Sequence, residues 1–338
     1  QMCIRDRLYI DYDYQWWVAT YNWGTTDRVK TQEKMIRRKS DNAPVYCIQA
    51  DIKLISGVVN GIVDEDTMVS MTNLSKEQMD RIRLIAYYGY GYGNHTSPEW
   101  YYATQMLIWQ ITNPGYIYAI EDNDSTLTPS NRYDSYYAEL NFLVDSHTTQ
   151  PSFYGQKFEM TAGNTITITD TNGVLSKYYE GVETDNYSAK IDGNNLVITA
   201  KTGYEGEIML TTKENTNRPI LYEGANQYCL SAGDPVAGLA YLEIYANVPF
   251  TGTKYYGNEN TGVYIPEQGA VFELYDESTG ELIETLTTDA DGAMNINLGF
   301  GKYRLHQIKG IESYKFIEDY TFEVTATQTK INVMFKNE

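Results

Sequence analysis

The spacing of the apolar residues changes after residue 150, and this change restricts the folds that the chain can adopt. Within 47–150 the spacing is helical, as in Met79, Ile82 and Ile85, which would share one helix face. Beyond it apolar and polar residues alternate, as in 165–169, and Asn-Gly and Asp-Gly dipeptides supply hairpin turns. Helices followed by strands alone are typical of an α+β chain built from separate modules.

The same change divides the 338 residues into three predicted segments. A helix-rich domain at 8–150 is followed by a β-sandwich at 151–245 and by a second all-β segment at 246–338. Residues 1–7 read like translated sequencing-adapter sequence joined to an incomplete gene, so we expect them to be an artefact.

The balance of charge argues against several kinds of partner. Lys and Arg number 26 against 45 Asp and Glu, which gives a formal net charge of -19. Nucleic acids and anionic membranes attract a surplus of cations, so we predict neither as a partner. The sequence has no apolar run of the length that crosses a bilayer, so we expect no insertion into a membrane. The 32 tyrosines suit an extracellular, β-rich protein.

The cysteines and acidic turns give no sign of a disulfide framework or a cofactor. Cys3, Cys47 and Cys229 are too few for such a framework. We expect Cys229 to pack in the middle β segment as an inert buried residue. Asp-rich turns at 122–124 and 289–291 offer oxygen atoms to a cation, but such spacings are common in ordinary turns, so no metal or cofactor is predicted.

Gln105 lies in a segment that should form a buried helix. Ser97 and Pro98 supply a start signal, and the residues that follow are apolar on nearly every side. A buried primary amide must pair two N–H donors and a carbonyl, and leaving them unpaired costs about 1–3 kcal/mol. Gln105 is therefore either a core residue bonded to the backbone or part of a reactive site.

Cys47 lies in a short apolar run, Val45–Gln49, and is either a small buried hydrophobe or a nucleophile. One reaction joins it to Gln105, since a thiol that attacks the glutamine carbonyl and expels ammonia leaves an internal thioester. The product is an activated acyl group that an amine can open. It survives only where water is excluded, and nearby aromatic residues such as Tyr46, Tyr101 and Trp109 can do this.

Four segments, in this order, resemble the Cys–Gln thioester domains of Gram-positive surface adhesins and pilus tips: Tyr46–Gln49, Leu74–Gln78, Ile85–Gly91 and Ala103–Trp109. In that family a Cys after an aromatic residue pairs with the Gln of a Thr-Gln-x-x-x-Trp helix motif. The resemblance covers about residues 20–150 and implies a helix-rich thioester domain on a β-sandwich.

The resemblance also implies the chemistry of the site. Cys47 would be the thiol and Gln105 the acyl donor, in a pocket formed by Tyr46, Tyr101, Thr104 and Trp109. Such domains form the bond without a helper enzyme and acylate a single nucleophile, typically a lysine amine of a host surface or matrix protein. The protein would then be a single-turnover adhesin rather than an enzyme. It would be extracellular and anchored in a Gram-positive cell wall, with further stalk domains and the anchor missing from this fragment.

The last segment resembles the collagen-adhesin B-type, or SpaA-like, stalk module, an immunoglobulin-like or prealbumin-like all-β fold. The residues that carry this resemblance are 269–276, 287–292 and 303–305. Many such modules hold a Lys–Asn isopeptide bond formed with the help of a buried Glu.

This chain departs from the stalk pattern at two positions. Gln307 stands where the glutamate is expected, and the early strand at 242–246 lacks the usual lysine. Lys254 and Asn337 remain a displaced candidate pair, and we favour a plain sandwich without the cross-link.

Two other functions remain open at this point. Cys47 with His95 as base would make a cysteine hydrolase, although His95 lies in a Gly-Asn-His-Thr loop where we expect it to face solvent. A non-covalent adhesin or carbohydrate-binding module would use the tyrosines of Tyr87–Tyr92 as an exposed aromatic surface.

Overall fold

The computed structural model describes residues 6–22, 28–50, 52, 59–114, 116–121, 133–215, 220–223, 228–231 and 239–337. The chain forms two compact units. Unit 1 comprises 1–149 and 213–238, and unit 2 comprises 150–212 and 239–338. Most of residues 1–7, Gly115 and the Asp-rich turn at 122–124 lie outside the described residues.

Unit 1 contains a sheet that closes on itself. Its strands are β1 (Asp6–Asn22), β2 (Arg28–Arg38), β3 (Pro44–Cys47), β4 (Val59–Val63), β5 (Tyr116–Glu121), β12 (Ile220–Glu223) and β13 (Tyr228–Ser231). They follow the order β2-β3-β13-β12-β4-β1-β5, and β1 also pairs with β2. This second pairing closes six strands into a ring, with β5 added outside it.

The described residues of unit 1 also form four helices: α1 (Glu65–Thr72), α2 (Lys76–Tyr88), α3 (Pro98–Thr112) and α4 (Asp134–Asp145). Ser75 and Gln78 form a capping box at the start of α2, and Gly89 follows its last residue. Pro98 is the first residue of α3, as the sequence predicts, whereas the side chain of Ser97 makes no capping hydrogen bond. Among the described residues, no helix has both the length and the apolar character needed to cross a membrane.

Unit 2 is built from strands and one 3₁₀ turn (Leu175–Lys177). The strands are β6 (Lys157–Thr161), β7 (Thr165–Thr169), β8 (Gly181–Glu183), β9 (Tyr187–Asp192), β10 (Asn195–Ala200), β11 (Tyr204–Thr211), β14 (Leu239–Asn258), β15 (Val263–Pro266), β16 (Val271–Asp276), β17 (Leu282–Thr287), β18 (Ala293–Leu298), β19 (Gly301–Lys309), β20 (Tyr320–Val324) and β21 (Ile331–Asn337). With the helices of unit 1, they confirm the predicted α+β fold class.

Strand β14 passes through two separate apolar cores of unit 2. Leu242 and Ile244 belong to the first core, and Val248 and Phe250 belong to the second. The first core lies between the sheet β7-β10-β9-β8 and the strands β6 and β11 beside β14, and the second involves the sheet β17-β16-β19-β20. The segment boundary that the sequence analysis places at 245/246 thus falls inside a continuous strand. The alternation of apolar and polar residues does not change where one strand contributes to two cores, so it cannot mark the boundary.

The hairpin formed by β12 and β13 lies elsewhere than the sequence analysis placed it. We assigned it to the segment 151–245, whereas in the structure β12 pairs with β4 and β13 pairs with β3 in unit 1. Four-residue strands have no local pattern that identifies a partner strand, so the tertiary fold decides which sheet they join.

Candidate functional site

Cys47 and Gln105 are joined by two hydrogen bonds between the main chain of one and the side-chain amide of the other. The Cys47 N–H donates to Gln105 Oε1, and Gln105 Nε2 donates to the Cys47 carbonyl. The donor–acceptor distance is 2.8 Å in each bond. Both residues are buried, with 7% of Cys47 and 2% of Gln105 exposed. The pairing gives the amide oxygen and one of the two amide N–H groups a partner, and it holds the carbonyl beside the residue that bears the thiol.

The position of β3 explains why the main chain of Cys47 is open to a side chain. On one side, the pairing with β2 reaches only as far as Ile36 opposite Val45. On the other side, Cys47 stands opposite Cys229 in β13, yet its own N–H and carbonyl bind Gln105. The Gln105 amide therefore binds the Cys47 main chain where the next residue of a pairing strand would otherwise bind it.

Tyr101 anchors α3 to the two strands. Its hydroxyl donates to the Val45 carbonyl over 2.6 Å and accepts the Ile36 N–H over 3.1 Å. Burial, and then the neighbouring Cys47, raises the pKa of Tyr101 well above its usual value of 10.0, so the hydroxyl keeps its proton. Because Tyr101 lies one helical turn before Gln105, these bonds also set the position of the amide.

Tyr46 ties the site to the loop after α2. Its ring stacks on that of Tyr101 with centroids 4.8 Å apart, and its hydroxyl accepts the Tyr90 N–H over 3.2 Å. The Thr104 hydroxyl donates to the Trp100 carbonyl over 2.6 Å, a bond within α3. Desolvation raises the pKa of Tyr46, so this phenol also stays protonated.

The structure brings the residues of the predicted pocket into one apolar core. All of them are buried: Tyr46, Tyr101, Thr104 and Trp109. Trp109 lies one helical turn after Gln105 on α3 and belongs to the same core as Cys47. A core of this kind keeps water away from a reactive acyl group.

Gly89 is the point where the loop after α2 passes closest to the site. A Cβ at Gly89 would lie 2.4 Å from Thr104 Oγ1 and 3.0 Å from the Tyr46 hydroxyl oxygen. Its φ is −71°, but its ψ of −144° lies outside the α and β regions that residues with a Cβ adopt, so the backbone conformation and the crowding both oppose substitution.

We expect Gly89→Ala to lower the free energy of unfolding by about 1–3 kcal/mol, because Thr104 and Tyr46 must move to admit the methyl group and the backbone must shift toward an allowed conformation. Urea denaturation measures the change. Gly61→Ala is the control, since its Cβ would meet no atom of the described residues closer than 3.8 Å. Equal losses in the two variants would contradict this expectation.

Tyr101→Phe should also destabilise unit 1, by about 1–3 kcal/mol, because it leaves the Ile36 N–H and the Val45 carbonyl without the hydroxyl that joins them. Tyr137→Phe is the matched control. The Tyr137 hydroxyl is buried and has no hydrogen-bond partner among the described residues, so its removal should cost nothing. Thermal unfolding of both variants tests the difference, and a neutral Tyr101→Phe would refute the anchoring role.

His95 is not arranged as a base for Cys47. The expectation that it faces solvent is wrong, since only 2% of it is exposed and its ring stacks on Trp100 with centroids 3.4 Å apart. Its Nδ1 donates to the Tyr88 carbonyl over 2.7 Å, and its Nε2 lies 3.2 Å from Glu139. The hydrogen bond from His95 lowers the pKa of Glu139. Both ring nitrogens thus have partners other than Cys47, which disfavours the hydrolase.

The tyrosine-rich run at the end of α2 and in the loop that follows packs into the core instead of forming an exposed surface. Tyr87, Tyr88 and Tyr92 are all buried, and their rings meet edge to face. They therefore offer no platform for a carbohydrate ring, because stacking on a sugar requires an exposed aromatic face.

A second group of buried polar residues lies in unit 2. Lys254 Nζ is 2.9 Å from Glu267 Oε2, and both side chains are almost fully buried. Strands β14 and β21 run parallel, with Lys254 opposite Phe335. Asn337 comes two residues after Phe335, so its side chain lies on the same inward face of the sheet as that of Lys254. Asn337 is 1% exposed, and neither polar atom of its amide has a hydrogen-bond partner among the described residues. Burial lowers the pKa of Lys254, which favours its neutral, nucleophilic form.

Glu267 is the site residue that the sequence analysis missed. Gln307 occupies the position where the resemblance implies a glutamate, but Glu267, between β15 and β16, supplies a buried carboxylate close to it. A Cβ on Gly310 would lie 2.6 Å from Gln307 Nε2 and 2.8 Å from Glu267 Oε1, so the two side chains border the same space. Glu267 follows Pro266 in a loop, where no periodic pattern marks a residue as buried.

The acidic and sulfur-bearing residues do not gather around a cation. Within the part of the chain that the structure describes, no group of three or more His, Cys, Asp or Glu side chains is placed to hold a metal ion. Asp289 Oδ1 instead accepts the N–H groups of Asp291 and Ala293, as in an ordinary turn.

Two family models match this chain. Residues 44–149 match the family described as the thioester domain. The chain therefore carries a thioester domain. Residues 265–338 match the SpaA family, described as a prealbumin-like fold domain, and this thioester domain is accordingly followed by a SpaA-type module.

Several solved structures are similar to this chain. The thioester domain of the Staphylococcus aureus TIE protein is 22% identical, with a TM-score of 0.43, over 72% of this chain and 98% of that one. The Bacillus anthracis TIE protein is 14% identical, with a TM-score of 0.31, over 99% of this chain and 66% of that one. GBS52, the minor pilin of Streptococcus agalactiae, is 15% identical, with a TM-score of 0.25, over 52% of this chain and 95% of that one. No curated protein matches the chain.

Proposed function

We propose that Cys47 and Gln105 form an internal thioester with which the protein captures an amine covalently. The paired hydrogen bonds between the Gln105 amide and the Cys47 main chain carry this proposal. They fix the glutamine carbonyl next to the thiol-bearing residue inside a core that excludes water, and these are the two conditions that the bond needs.

The main-chain N–H of Cys47 assists bond formation. When Sγ attacks the Gln105 side-chain carbonyl carbon, negative charge develops on Oε1, which already accepts the Cys47 N–H over 2.8 Å. A fixed N–H aimed at this oxygen stabilises the tetrahedral intermediate. The C–N bond then breaks, the thiol proton passes to the departing nitrogen, and ammonia leaves. The products are one thioester and one ammonia.

An amine can then open the thioester. Its nitrogen attacks the thioester carbonyl, Sγ leaves and takes up a proton, and the former glutamine side chain becomes a substituted amide. Each molecule reacts once, so the protein is a reagent and not an enzyme. The lysine side chain supplies such an amine on protein surfaces, and we infer that the partner is a lysine-bearing host surface or matrix protein.

A covalent adhesin displayed outside the cell fits the rest of the chain. Along the chain, the thioester domain at 44–149 is followed by the SpaA-type module at 265–338. The net charge of -19 argues against nucleic acid as a partner and suits a protein displayed outside the cell. We infer a location on the wall of a Gram-positive bacterium, as an adhesin.

Intact mass spectrometry tests the thioester. Because of this bond, the mass of freshly purified protein should be lower by one ammonia than the mass calculated from its sequence. Methylamine should add at Gln105, as peptide mapping will show. A non-covalent adhesin or carbohydrate-binding module would show no deficit in unit 1. Full mass there, with Cys47 open to thiol reagents in undenatured protein, would refute the proposal.

We further propose an isopeptide bond between Lys254 and Asn337 in the SpaA-type module, which the sequence analysis did not favour. The buried pair of Lys254 and Glu267 supports it, as does the Asn337 amide, which has no hydrogen-bond partner among the described residues. Lys254 Nζ would attack the Asn337 side-chain carbonyl carbon, Glu267 would carry the proton from the amine to the departing nitrogen, and ammonia would leave. A second ammonia deficit, mapped to a cross-linked peptide from unit 2, tests this bond.

A further inference from the structure

Cys229 stands directly opposite Cys47 across two neighbouring strands. The register pairs the two residues, and both lie in the core of unit 1 with 1% and 7% exposed. The Ile48 N–H donates to the Tyr228 carbonyl over 3.0 Å, so the adjacent pair Cys47–Cys229 is of the non-hydrogen-bonded kind. In such a pair the two side chains point to the same face and come closest together.

This spacing is compatible with a disulfide. Cα atoms of a non-hydrogen-bonded pair lie about 4.5 Å apart, and disulfides span about 4.4–6.8 Å between Cα atoms. Cβ atoms across such a pair are usually about 4.5–5.5 Å apart, slightly more than the roughly 3.5–4.5 Å that a relaxed disulfide needs. The strands must therefore approach a little, and the bond should be easily reduced.

A partner for the Cys47 thiol matters because of the chemistry of the captured product. Amine capture leaves the Cys47 thiol beside a substituted Gln105 amide, which is the same arrangement from which the thioester forms. The thiol can attack this amide again, and the amine would then leave in place of ammonia. The captured link is thus reversible as long as Cys47 keeps a thiol within reach of Gln105.

We propose that Cys229 forms a disulfide with Cys47 whenever Cys47 is not in the thioester, and that this disulfide locks the captured amine in place. The lock, though not the disulfide itself, rests on the proposed thioester function. The oxidant is a low-molecular-weight disulfide: two thiols and one such disulfide give the Cys47–Cys229 bond and two small thiols. While the thioester is intact, Cys47 is masked and the pair cannot be oxidised.

The disulfide is tested in protein that carries Cys3→Ser, so that only two cysteines are counted. Gln105→Ala removes the acyl donor, and oxidised glutathione is added to the folded variant before denaturation and alkylation with N-ethylmaleimide. We expect a mass lower by two hydrogens, no alkylation, and a cross-linked peptide containing Cys47 and Cys229. Alkylation of both cysteines, or glutathione on either one, would overturn the pairing. The methylamine adduct of the Cys3→Ser protein, oxidised in the same way, gives the answer if Gln105→Ala does not fold.

The lock is tested on the methylamine adduct after free methylamine has been removed. The reduced adduct should lose methylamine and return to the mass of the thioester at least ten times faster than the oxidised adduct. In Cys229→Ala, molecules that intact mass shows to carry no glutathione should lose methylamine equally fast with and without the oxidant. Equal stability of the reduced and oxidised adducts would overturn the lock. Failure to form any adduct would count against the thioester itself, and the Gln105→Ala result would still decide the disulfide.

Discussion

Cys47→Ala will abolish the ammonia deficit in unit 1 and with it all covalent labelling by methylamine. Without Sγ the Gln105 side chain remains an ordinary amide, which does not acylate amines in neutral water. The two hydrogen bonds to the Cys47 main chain do not involve the sulfur, so Gln105 should stay in place. Intact mass before and after methylamine treatment gives the number of adducts per molecule. We expect one adduct without the substitution and none in Cys47→Ala.

Cys229→Ala is the matched control for this experiment. It removes the same atoms from the same core, at the residue directly opposite Cys47, and it leaves both partners of the thioester intact. We expect it to keep the deficit and the labelling at Gln105. Near-ultraviolet circular dichroism of the buried tyrosines will report whether both variants fold. Labelling of a folded Cys47→Ala protein at Gln105 would contradict the proposed chemistry.

Glu267→Gln will prevent the isopeptide bond and markedly lower the stability of unit 2. The variant keeps the shape of the side chain but cannot carry a proton from Lys254 to the departing amide nitrogen, and loss of such catalysis slows reactions by about 10²–10⁴-fold. The bond would close a loop of about 80 residues, which by analogy with disulfides is worth about 4–5 kcal/mol. A decrease in melting temperature of about 10 °C or more should follow in calorimetry.

Two further variants separate the cross-link from the buried ion pair. Asn337→Ala removes the acceptor while leaving Lys254 and Glu267 paired, so it should lose the mass deficit and most of the same stability. Glu281→Gln changes an exposed glutamate of unit 2 and should alter neither the mass nor the melting temperature. A Glu267→Gln protein that keeps the deficit in unit 2 would exclude the assigned role of this carboxylate.

Local signals in the sequence were sufficient for the helical run of α2 and for the start of α3 at Pro98, whereas nothing in the sequence analysis marked α1, and they made Cys47 and Gln105 the candidate reactive pair. The capping box of Ser75 and Gln78 and the end of α2 at Gly89 follow from residues that touch within one turn. Gln105 drew attention because a polar amide in an apolar helix needs a partner, and Cys47 because it is a nucleophile in an apolar strand. Each of these features depends on neighbours in the chain.

Residues close together in the chain were enough to predict the fold class and the helical run of α2 and to single out Cys47 and Gln105 as a candidate thioester pair, because periodicity and the reactivity of a functional group are properties of short segments. The folded structure was needed to show that Cys229 faces Cys47, that Glu267 rather than Gln307 pairs with Lys254, and that His95 is buried. Each of these depends on residues that are far apart in the chain and meet through strand register and core packing. Those contacts form only when the whole unit folds.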